Sequence, residues 1–432
     1  MDSSSTVTPP APIQAGRLRT LQALGVLCGF AAGAWLGGAE APIKIVSPGL
    51  SPITVSLIMV AGVFLGRWSI PAFVRGTSFV RDDVQQAPHL IIWAVLAGCI
   101  WAVANTMTIY AIRDVGLSIA FPLWNSNSLL GIFWGFLLFN ELHYAGWSRW
   151  LGVLGGALAM FGGATLLALA SSTQAPSGRA SVGVMAALGA GILWGTMYIP
   201  YRKAYLTGMN PLSFVTFFTV GELGTMTVLA LSHMGIISLW HEITGAKTVL
   251  FWLMLGGFVW VIGDLFQQYA TKYVGISRGV PLSNTNQLWG LLWGILVFHE
   301  LHGGTRKVYA QVIGGSILMA LGAVAIALSS ATDREHSRWQ AAAEREGRRY
   351  RIEDAYVRAS MEGRELNGRG SRRNFIDWLL VAGVTVIFVA LASMARMPRV
   401  DVNLKWAALV SAAMVVLLAG CAIALWRTTR FS

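Results

Sequence analysis

Apolar runs long enough to cross a membrane dominate this chain. Each run holds about 20 mostly apolar residues, the length that a helix needs to span the hydrocarbon core of a bilayer. Hydrophobic residues make up 55% of the chain and charged residues only 12%, so a soluble protein of this size could not cover its surface with polar groups. We therefore predict an all-α, polytopic membrane protein. The twelve predicted spans are residues 20–38, 52–74, 89–111, 115–139, 150–171, 181–200, 212–237, 248–270, 274–298, 309–330, 375–395 and 404–426.

The net charge of +12 is concentrated in short segments between these runs. Eleven Arg lie between Arg334 and Arg373, and basic residues also follow the second and sixth spans. Twelve spans put both termini on one side, and an excess of Lys and Arg marks that side as the cytoplasm, although Arg306, Lys307 and Arg396 fall opposite. The pattern argues against nucleic-acid binding. It predicts a multi-pass protein in a bacterial inner (plasma) membrane, with cytoplasmic termini and the lipid bilayer as a partner.

One stretch of sequence occurs twice. It reads VGLSIAFPLWNSNSLLGIFWGFLLFNELH from Val115 and VGISRGVPLSNTNQLWGLLWGILVFHELH from Val274, with no gap. Chance does not keep one offset over so long a segment, so residues 20–171 and 179–330 are predicted to be two copies of one unit. The same 159-residue offset pairs Trp35 with Trp194, Gly62 with Gly221, Trp101 with Trp260 and Met160 with Met319.

Each copy holds five predicted spans. Because five is odd, the second copy must enter the membrane from the opposite side, which makes the pair an inverted repeat. Two such halves can enclose a cavity that opens to either face, with substrate bound near the bilayer midplane. The sequence therefore predicts a ten-helix core with the architecture of an alternating-access carrier.

The segments outside the two copies differ in composition. Residues 1–19 are polar and predicted to be flexible. Residues 331–374 are rich in Ala, Glu and Arg, and are predicted to form an exposed, charged cytoplasmic linker helix with frayed ends. Residues 375–427 hold the two additional transmembrane helices. The three Cys lie inside apolar runs, which favours small buried hydrophobic side chains over disulfides.

The five-plus-five arrangement resembles the drug/metabolite transporter superfamily. Within it, the chain is similar to the glucose/ribose porter and rhamnose–proton symporter families in two motifs, W-x-x-x-N at Trp101–Asn105 with V-G-L-S from Val115, and PLSNTNQLWGLLWGILVFHE from Pro281. The resemblance covers residues 20–330. It implies a secondary active transporter that carries a sugar with a proton. The linker and the last two spans have no counterpart in the ten-span families.

Polar side chains cluster near predicted helix breaks at Pro122 in the fourth span and Pro281 in the ninth. Pro interrupts helical hydrogen bonding, and polar groups in lipid are costly unless they are paired or face a cavity. Asn and Gln both donate and accept, as sugar hydroxyls do, and a Trp ring can stack on a sugar. The predicted substrate-binding residues here are Trp124, Asn125, Asn127, Asn284, Asn286 and Gln287. The alternative is that these groups only bond helix to helix.

The third and eighth spans match as Trp101 with Trp260 and Asn105 with Asp264, and these residues are added to the predicted substrate site. Asp264 and Glu222 are acids well inside apolar runs. Because burial disfavours the charged carboxylate, either acid can exchange a proton near neutral pH, and both are predicted to couple transport to protons. The alternative is a structural carboxylate held by a partner such as Arg278.

Trp35 and Trp194 occupy matched positions in the first and sixth spans. An inverted pair would make them face each other across the pseudo-twofold axis, so both are predicted to line the cavity. The alternative is ordinary packing or an anchor at the membrane boundary, where Trp is favoured.

No enzymatic motif appears in the sequence. His299-Glu300-Leu301-His302 places two His three residues apart, whereas the zincin pattern needs four, so no metal is predicted. The chain lacks a phosphate-binding G-x-x-x-x-G-K-[ST] loop and a nucleophile-plus-base motif, so neither a cofactor nor catalysis is predicted. Paired Gly in the fifth and tenth spans permit close helix packing or a homodimer contact.

Three functions fit these features. The first is a secondary carrier for a small polar solute, above all a sugar. The second is an exporter of metabolites, amino acids or drugs in the same superfamily, which an aromatic cavity would favour. The third is a non-transporting membrane sensor that signals through the linker and the added spans.

Overall fold

The computed structural model describes residues 15–39, 41–42, 50–86, 88, 90–115, 120, 123–143, 145–170, 179–299, 305–329, 331–364, 373–396 and 402–431. These residues form helices and connecting turns, with no β-strand among them. The all-α fold predicted from the apolar runs is therefore confirmed.

The helices of the first predicted copy begin at Ala15. Two of its six helices are shorter than the other four. The six helices are α1 (Ala15–Gly38), α2 (Pro52–Val74), α3 (Ser78–Gln86), α4 (Leu90–Val115), α5 (Asn127–Phe139) and α6 (Trp147–Ala170).

The second predicted copy follows the same order. Its fourth element, the ninth predicted span, is divided into two α-helices and a π-helical turn at Trp293–Val297. The helices are α7 (Ala180–Leu206), α8 (Pro211–Met234), α9 (Ile236–Gly245), α10 (Leu250–Val274), α11 (Ile276–Ser283), α12 (Asn286–Leu292) and α13 (Arg306–Leu328). The chain ends with α14 (Asp333–Arg349), α15 (Asp354–Met361), α16 (Phe375–Met394) and α17 (Leu404–Thr429).

Ten helices of the described chain are long and apolar enough to cross a membrane. The two remaining predicted spans are the interrupted ones, α5 and α11–α12. The interruption in the ninth span comes after Pro281, at Asn284 and Thr285, while Pro281 itself lies inside α11. Pro122 lies outside the described residues. Helix starts follow local sequence: Ser51 and Asn210 cap α2 and α8, each with Pro at the first helical position.

Helix packing follows the 159-residue offset. Helix α1 packs on α10, and α7 packs on α4; α2 packs on α10, and α8 on α4. The broken spans also correspond, since α5 packs on α7 while α11 and α12 pack on α1. If each helix is replaced by its counterpart in the other copy, the first contact in each of these comparisons becomes the second. The half-turn that would relate the copies stays a prediction.

Glycine contacts repeat the correspondence at atomic scale. A Cβ on Gly62 would clash with the backbone of Met254, and one on Gly221 would clash with the backbone of Val95. The four residues are two pairs at the 159-residue offset. These glycines are thus needed because the helix backbones touch.

The linker differs from its prediction. It was predicted to be one exposed helix, but α14 and α15 are two helices docked on one end of the bundle, where Trp339 is only 1% exposed. We call this end the linker side. The predicted flexible N-terminus, residues 1–19, extends too far along the chain, because residues 15–19 belong to α1. Residues 1–14 lie outside the described chain.

The two added spans pack on the outside of the ten-helix core. Helix α16 lies against α2, and Asp377 accepts hydrogen bonds from the backbone N and the hydroxyl of Thr77. Helix α17 lies against α1, where the Sγ atoms of Cys28 and Cys421 are 3.5 Å apart in buried surroundings. The three Cys are free thiols; Cys28 and Cys421 are buried as predicted, whereas Cys99 is half-buried.

Adjacent glycines in α6 give a matched test of this packing. In Gly156→Ala, the new methyl group would lie 2.7 Å from Gly322 O and 2.7 Å from Ile326 Cγ1 on α13. We expect the free energy of unfolding to fall by about 1–3 kcal/mol, measured by thermal unfolding in detergent. Gly155→Ala is the control, because no atom lies within 4 Å of that position. Equal stability of the two variants would contradict the packing.

Candidate functional site

The centre of the bundle holds a buried arginine between two carboxylates. Arg67 on α2 is 0% exposed; its Nη1 donates to Glu222 Oε2 on α8 and its Nη2 to Asp264 Oδ2 on α10, both at 2.7 Å. An unpaired charge in so dry a place would cost several kcal/mol. The planar guanidinium has two forks and can serve two carboxylates at once. One side chain therefore joins three membrane helices.

Aromatic rings enclose the Arg67 guanidinium. Its Cζ lies 4.1 Å from the ring centre of Phe218 and 5.2 Å from that of Trp260. The ring faces attract the cation and exclude water from it. The ion pairs therefore act in a medium of low dielectric, where charge interactions are strong.

The two carboxylates are not equivalent. The second oxygen of Asp264, Oδ1, accepts a hydrogen bond of 2.9 Å from Gln268 Nε2, and Gln268 in turn accepts from the Tyr205 hydroxyl. The second oxygen of Glu222, Oε1, is buried and has no hydrogen bond of good geometry, although the Thr219 hydroxyl interacts with this carboxylate. With both acids ionised, the cluster carries one positive and two negative charges, a net charge of −1. Glu222 thus has the oxygen that is free to take a proton.

The sequence singled out both acids and offered Arg278 as a partner only under the structural alternative. Arg278 pairs with Glu335 of the linker at 3.0 Å instead, while an arginine does hold both acids, as that alternative expects. The actual partner, Arg67, was missed. It is a charged residue inside the apolar run 52–74, so the argument applied to the acids would have found it.

Two further predicted residues lie beside this cluster. The indole rings of Trp101 and Trp260 meet edge to face, with centroids 5.4 Å apart, so these matched residues of the two copies contact each other. Asn105 is half-buried and donates to Ser56 Oγ at 2.8 Å. The structure thus brings Trp101, Trp260 and Asp264 together and places Asn105 against α2.

The polar clusters of the two broken spans also meet. Asn284 donates its amide to Ser128 Oγ, and Ser128 donates to Asn127 Oδ1 at 3.3 Å. Gln267 on α10 donates to Ser283 Oγ at 2.8 Å and to the Tyr198 hydroxyl at 3.3 Å. Since Gln267 lies less than one turn from Asp264, a continuous polar region runs from the broken spans to the charged cluster.

The remaining polar residues predicted for the site face protein. Asn125, Asn127 and Gln287 are 7%, 7% and 9% exposed. The Oδ1 of Asn286 and the Oε1 of Gln287 are buried without hydrogen-bond partners. These buried oxygens are acceptors whose hydrogen-bonding capacity is not filled by the protein.

The matched Trp35 and Trp194 lie in different surroundings. Trp194 packs edge to face on Trp124, with ring centroids 6.1 Å apart. Trp35 donates its indole N–H to Met414 O at 3.0 Å, in a hydrophobic cluster with α17. Trp35 therefore anchors an added span, which is the packing alternative, while Trp194 and Trp124 lie beside the fourth-span cluster.

No group of His, Cys, Asp and Glu in the described part of the chain could hold a metal ion. Glu300 and His302 of the His-Glu-Leu-His segment lie outside the described residues.

Comparison with known proteins finds similarity to proteins named for sugar transport or sugar uptake. Residues 185–349 match a protein family described as "Sugar transport protein". A protein of Staphylococcus aureus (strain Mu50) named for glucose uptake is 25% identical over 277 residues, which cover 61% of this chain and 86% of that protein. A protein of Listeria innocua serovar 6a named for sugar uptake is 23% identical over 238 residues, covering 54% of this chain and 77% of that one.

A further similarity covers a shorter stretch of the chain. A protein of Streptococcus pyogenes serotype M1, also named for sugar uptake, is 39% identical over 100 residues. The match covers 22% of this chain and a third of the streptococcal protein's length.

The charge balance of the central cluster predicts how mutations there change the stability of the folded protein. Arg67→Met leaves two buried carboxylates without a counter-charge, so we expect unfolding to be easier by about 3–5 kcal/mol. Adding Glu222→Gln and Asp264→Asn removes both negative charges and should restore most of the loss. Thermal unfolding in detergent measures both. The exposed Arg81→Met is the control, and a stable Arg67→Met variant would show that the cluster is not held by its charges.

Proposed function

Because the family match and the relatives named for sugar uptake support assigning this chain to a sugar transporter family, we propose that it is a secondary active transporter of a small sugar, driven by protons and working by alternating access. The observation that carries this proposal is the charged cluster of Arg67, Glu222 and Asp264 beside a polar and aromatic region at the bundle centre. The cluster supplies the coupling group, and the polar region supplies the sugar site.

Proton uptake at Glu222 would change the charge of the whole cluster. With the proton bound, Arg67 balances Asp264 alone and the cluster is neutral. Without it, the cluster carries −1, and both carboxylates compete for one guanidinium. Moving one charge through the membrane potential involves about 2.3 kcal/mol per 100 mV, so proton binding sets which conformational change is favourable.

Glu222 is the better proton acceptor of the two acids. Both oxygens of Asp264 are engaged, by Arg67 and by Gln268, whereas Glu222 Oε1 has no hydrogen bond of good geometry. Asp264 would then serve as the fixed counter-ion that holds Arg67 when Glu222 is neutral. Because Asp264 shares α10 with Gln267, a shift of this pair would reach the polar region directly.

The sugar would bind between the broken spans and the central tryptophans. Asn127, Asn284, Asn286 and Gln287 offer amide donors and acceptors, and the Trp101–Trp260 and Trp124–Trp194 pairs offer flat apolar rings. A sugar presents the same combination, with hydroxyls at its edge and C–H groups on its faces. This matches the usual composition of small-ligand sites.

Alternating access rests on the matched packing of the two copies. The 159-residue offset relates each helix contact to a second one in the other copy. Corresponding segments of the two copies would therefore form a gate on each side of the membrane. We assign the linker side to the cytoplasm, because the Arg-rich segment lies there. The membrane would be the bacterial inner membrane.

Purified protein in liposomes tests the proposal. With an imposed inward proton gradient, one or more labelled sugars should accumulate, and Glu222→Gln should abolish accumulation while sugar exchange continues. The exposed Arg81→Gln, which lies outside the central cluster and the linker, is the control. Accumulation by Glu222→Gln at the parent level would refute the coupling role of Glu222.

The substrate panel separates the other functions. Amino acids or drugs moving in place of sugars would indicate the exporter, and no solute exchanging in a folded sample would indicate a non-transporting sensor.

A further inference from the structure

We propose that residues 332–361 form an autoinhibitory latch, which holds the linker side of the core closed and must loosen before the core can open to that side. The proposal rests on the alternating-access function above. It concerns helices α14 and α15, of which α14 lies within the residues that match the sugar transport family and α15 lies beyond them.

A buried ion pair closes the core beneath the latch. Glu141, just after α5, is 0% exposed and lies 3.0 Å from Arg202 Nε on α7. Glu141 also accepts hydrogen bonds from Ile276 N at 3.1 Å and Ser277 N at 2.9 Å, at the start of α11. Glu141 belongs to the first copy, and its partners belong to the second. Opening this side must separate them, so we call these four residues the linker-side gate.

Glu335 of α14 joins the same two copies from outside the core. It is 0% exposed and accepts from both Nη atoms of Arg278, at 3.0 and 3.1 Å. It also accepts from Leu142 N at 2.8 Å, directly after Glu141. One linker carboxylate therefore bridges the end of the fourth span and the start of the ninth.

Trp339 covers the gate one helical turn further along α14. The indole is 1% exposed, and the Arg202 guanidinium lies 4.6 Å from its ring centre. The void between Trp339, Arg202 and Lys272 measures about 10 Å³, which is room for about one water molecule. A sugar cannot pass while the indole stays in place.

The rim of the latch is tied to several core elements. Lys203 Nζ lies 2.8 Å from Glu346 Oε1, and Ser360 Oγ donates to Gly208 O at 2.8 Å. Tyr356 donates to Asp83 Oδ1 at 2.8 Å, and directly after the latch Glu362 O accepts from Arg17 at 2.7 Å. These contacts reach α1, α3 and the α7–α8 connection, so the latch is docked on the core along its length.

Thiol accessibility tests the latch without any need for transport. Ser277 is 0% exposed at the gate, and Ser277→Cys would report its opening, with the native Cys28, Cys99 and Cys421 replaced by Ala. A membrane-impermeant maleimide is added to vesicles that expose the linker side. We expect Glu335→Gln with Trp339→Leu to label at least tenfold faster than the parent, the change produced by about 1.4 kcal/mol.

Two controls keep this outcome specific. Arg345→Ala lies on the exposed face of α14 and should leave the labelling rate unchanged, whereas faster labelling there would mean general loosening and would overturn the proposal. Trp339→Leu alone replaces the double variant if the latter does not fold. Labelling at the parent rate in a folded latch variant would also overturn it.

Tethering the latch gives the opposite test. Lys203→Cys with Glu346→Cys, joined by a bifunctional thiol reagent, should stop sugar exchange until the reagent is cleaved. Exchange that continues in the tethered protein would overturn the latch but leave the transporter proposal intact. Conversely, faster labelling of the latch variants in a protein that moves no sugar would support the latch and reject the transporter.

Discussion

The Arg67 guanidinium, shared by Glu222 and Asp264, sets the constraint around which the core is arranged. All three side chains are at most 1% exposed, and in so apolar a place a charge persists only when it is paired with good geometry. The pairs require α2, α8 and α10 to keep their relative positions to within hydrogen-bond distance. Any change in the protonation of the acids therefore acts on three helices at once.

The cluster departs from the repeat in which it lies. The 159-residue offset aligns Arg67 with Met226, Glu222 with Val63 and Asp264 with Asn105. The duplicated scaffold thus supplies similar helix packing in both copies, while the charges occupy only one of the two equivalent places. A single coupling centre fits the proposed transporter, because two equal proton sites would not be needed to drive one gate cycle.

Buried ion pairs also hold the core together at the linker side. Glu141 with Arg202 and Glu335 with Arg278 are buried pairs that each join different segments of the chain. Breaking such a pair costs far more than its formation gains, since a lone buried charge remains. This asymmetry suits a closed gate, which must hold firmly yet open when partner groups move together. The added segment 332–361 supplies one member of these pairs, so the extension is part of the core's chemistry.

Local sequence decided the helices, their approximate ends and the duplication, because apolar length, N-capping residues and a constant offset are all readable along the chain. It also identified Glu222 and Asp264, since an acid in an apolar run is conspicuous wherever it folds. The partners were decided only by the tertiary structure: Arg67 for the two acids, Glu335 for Arg278 and Met414 for Trp35. A span's apolar character depends on its own residues, whereas the partner of a buried charge depends on which helices meet, and those helices are separated here by up to hundreds of residues.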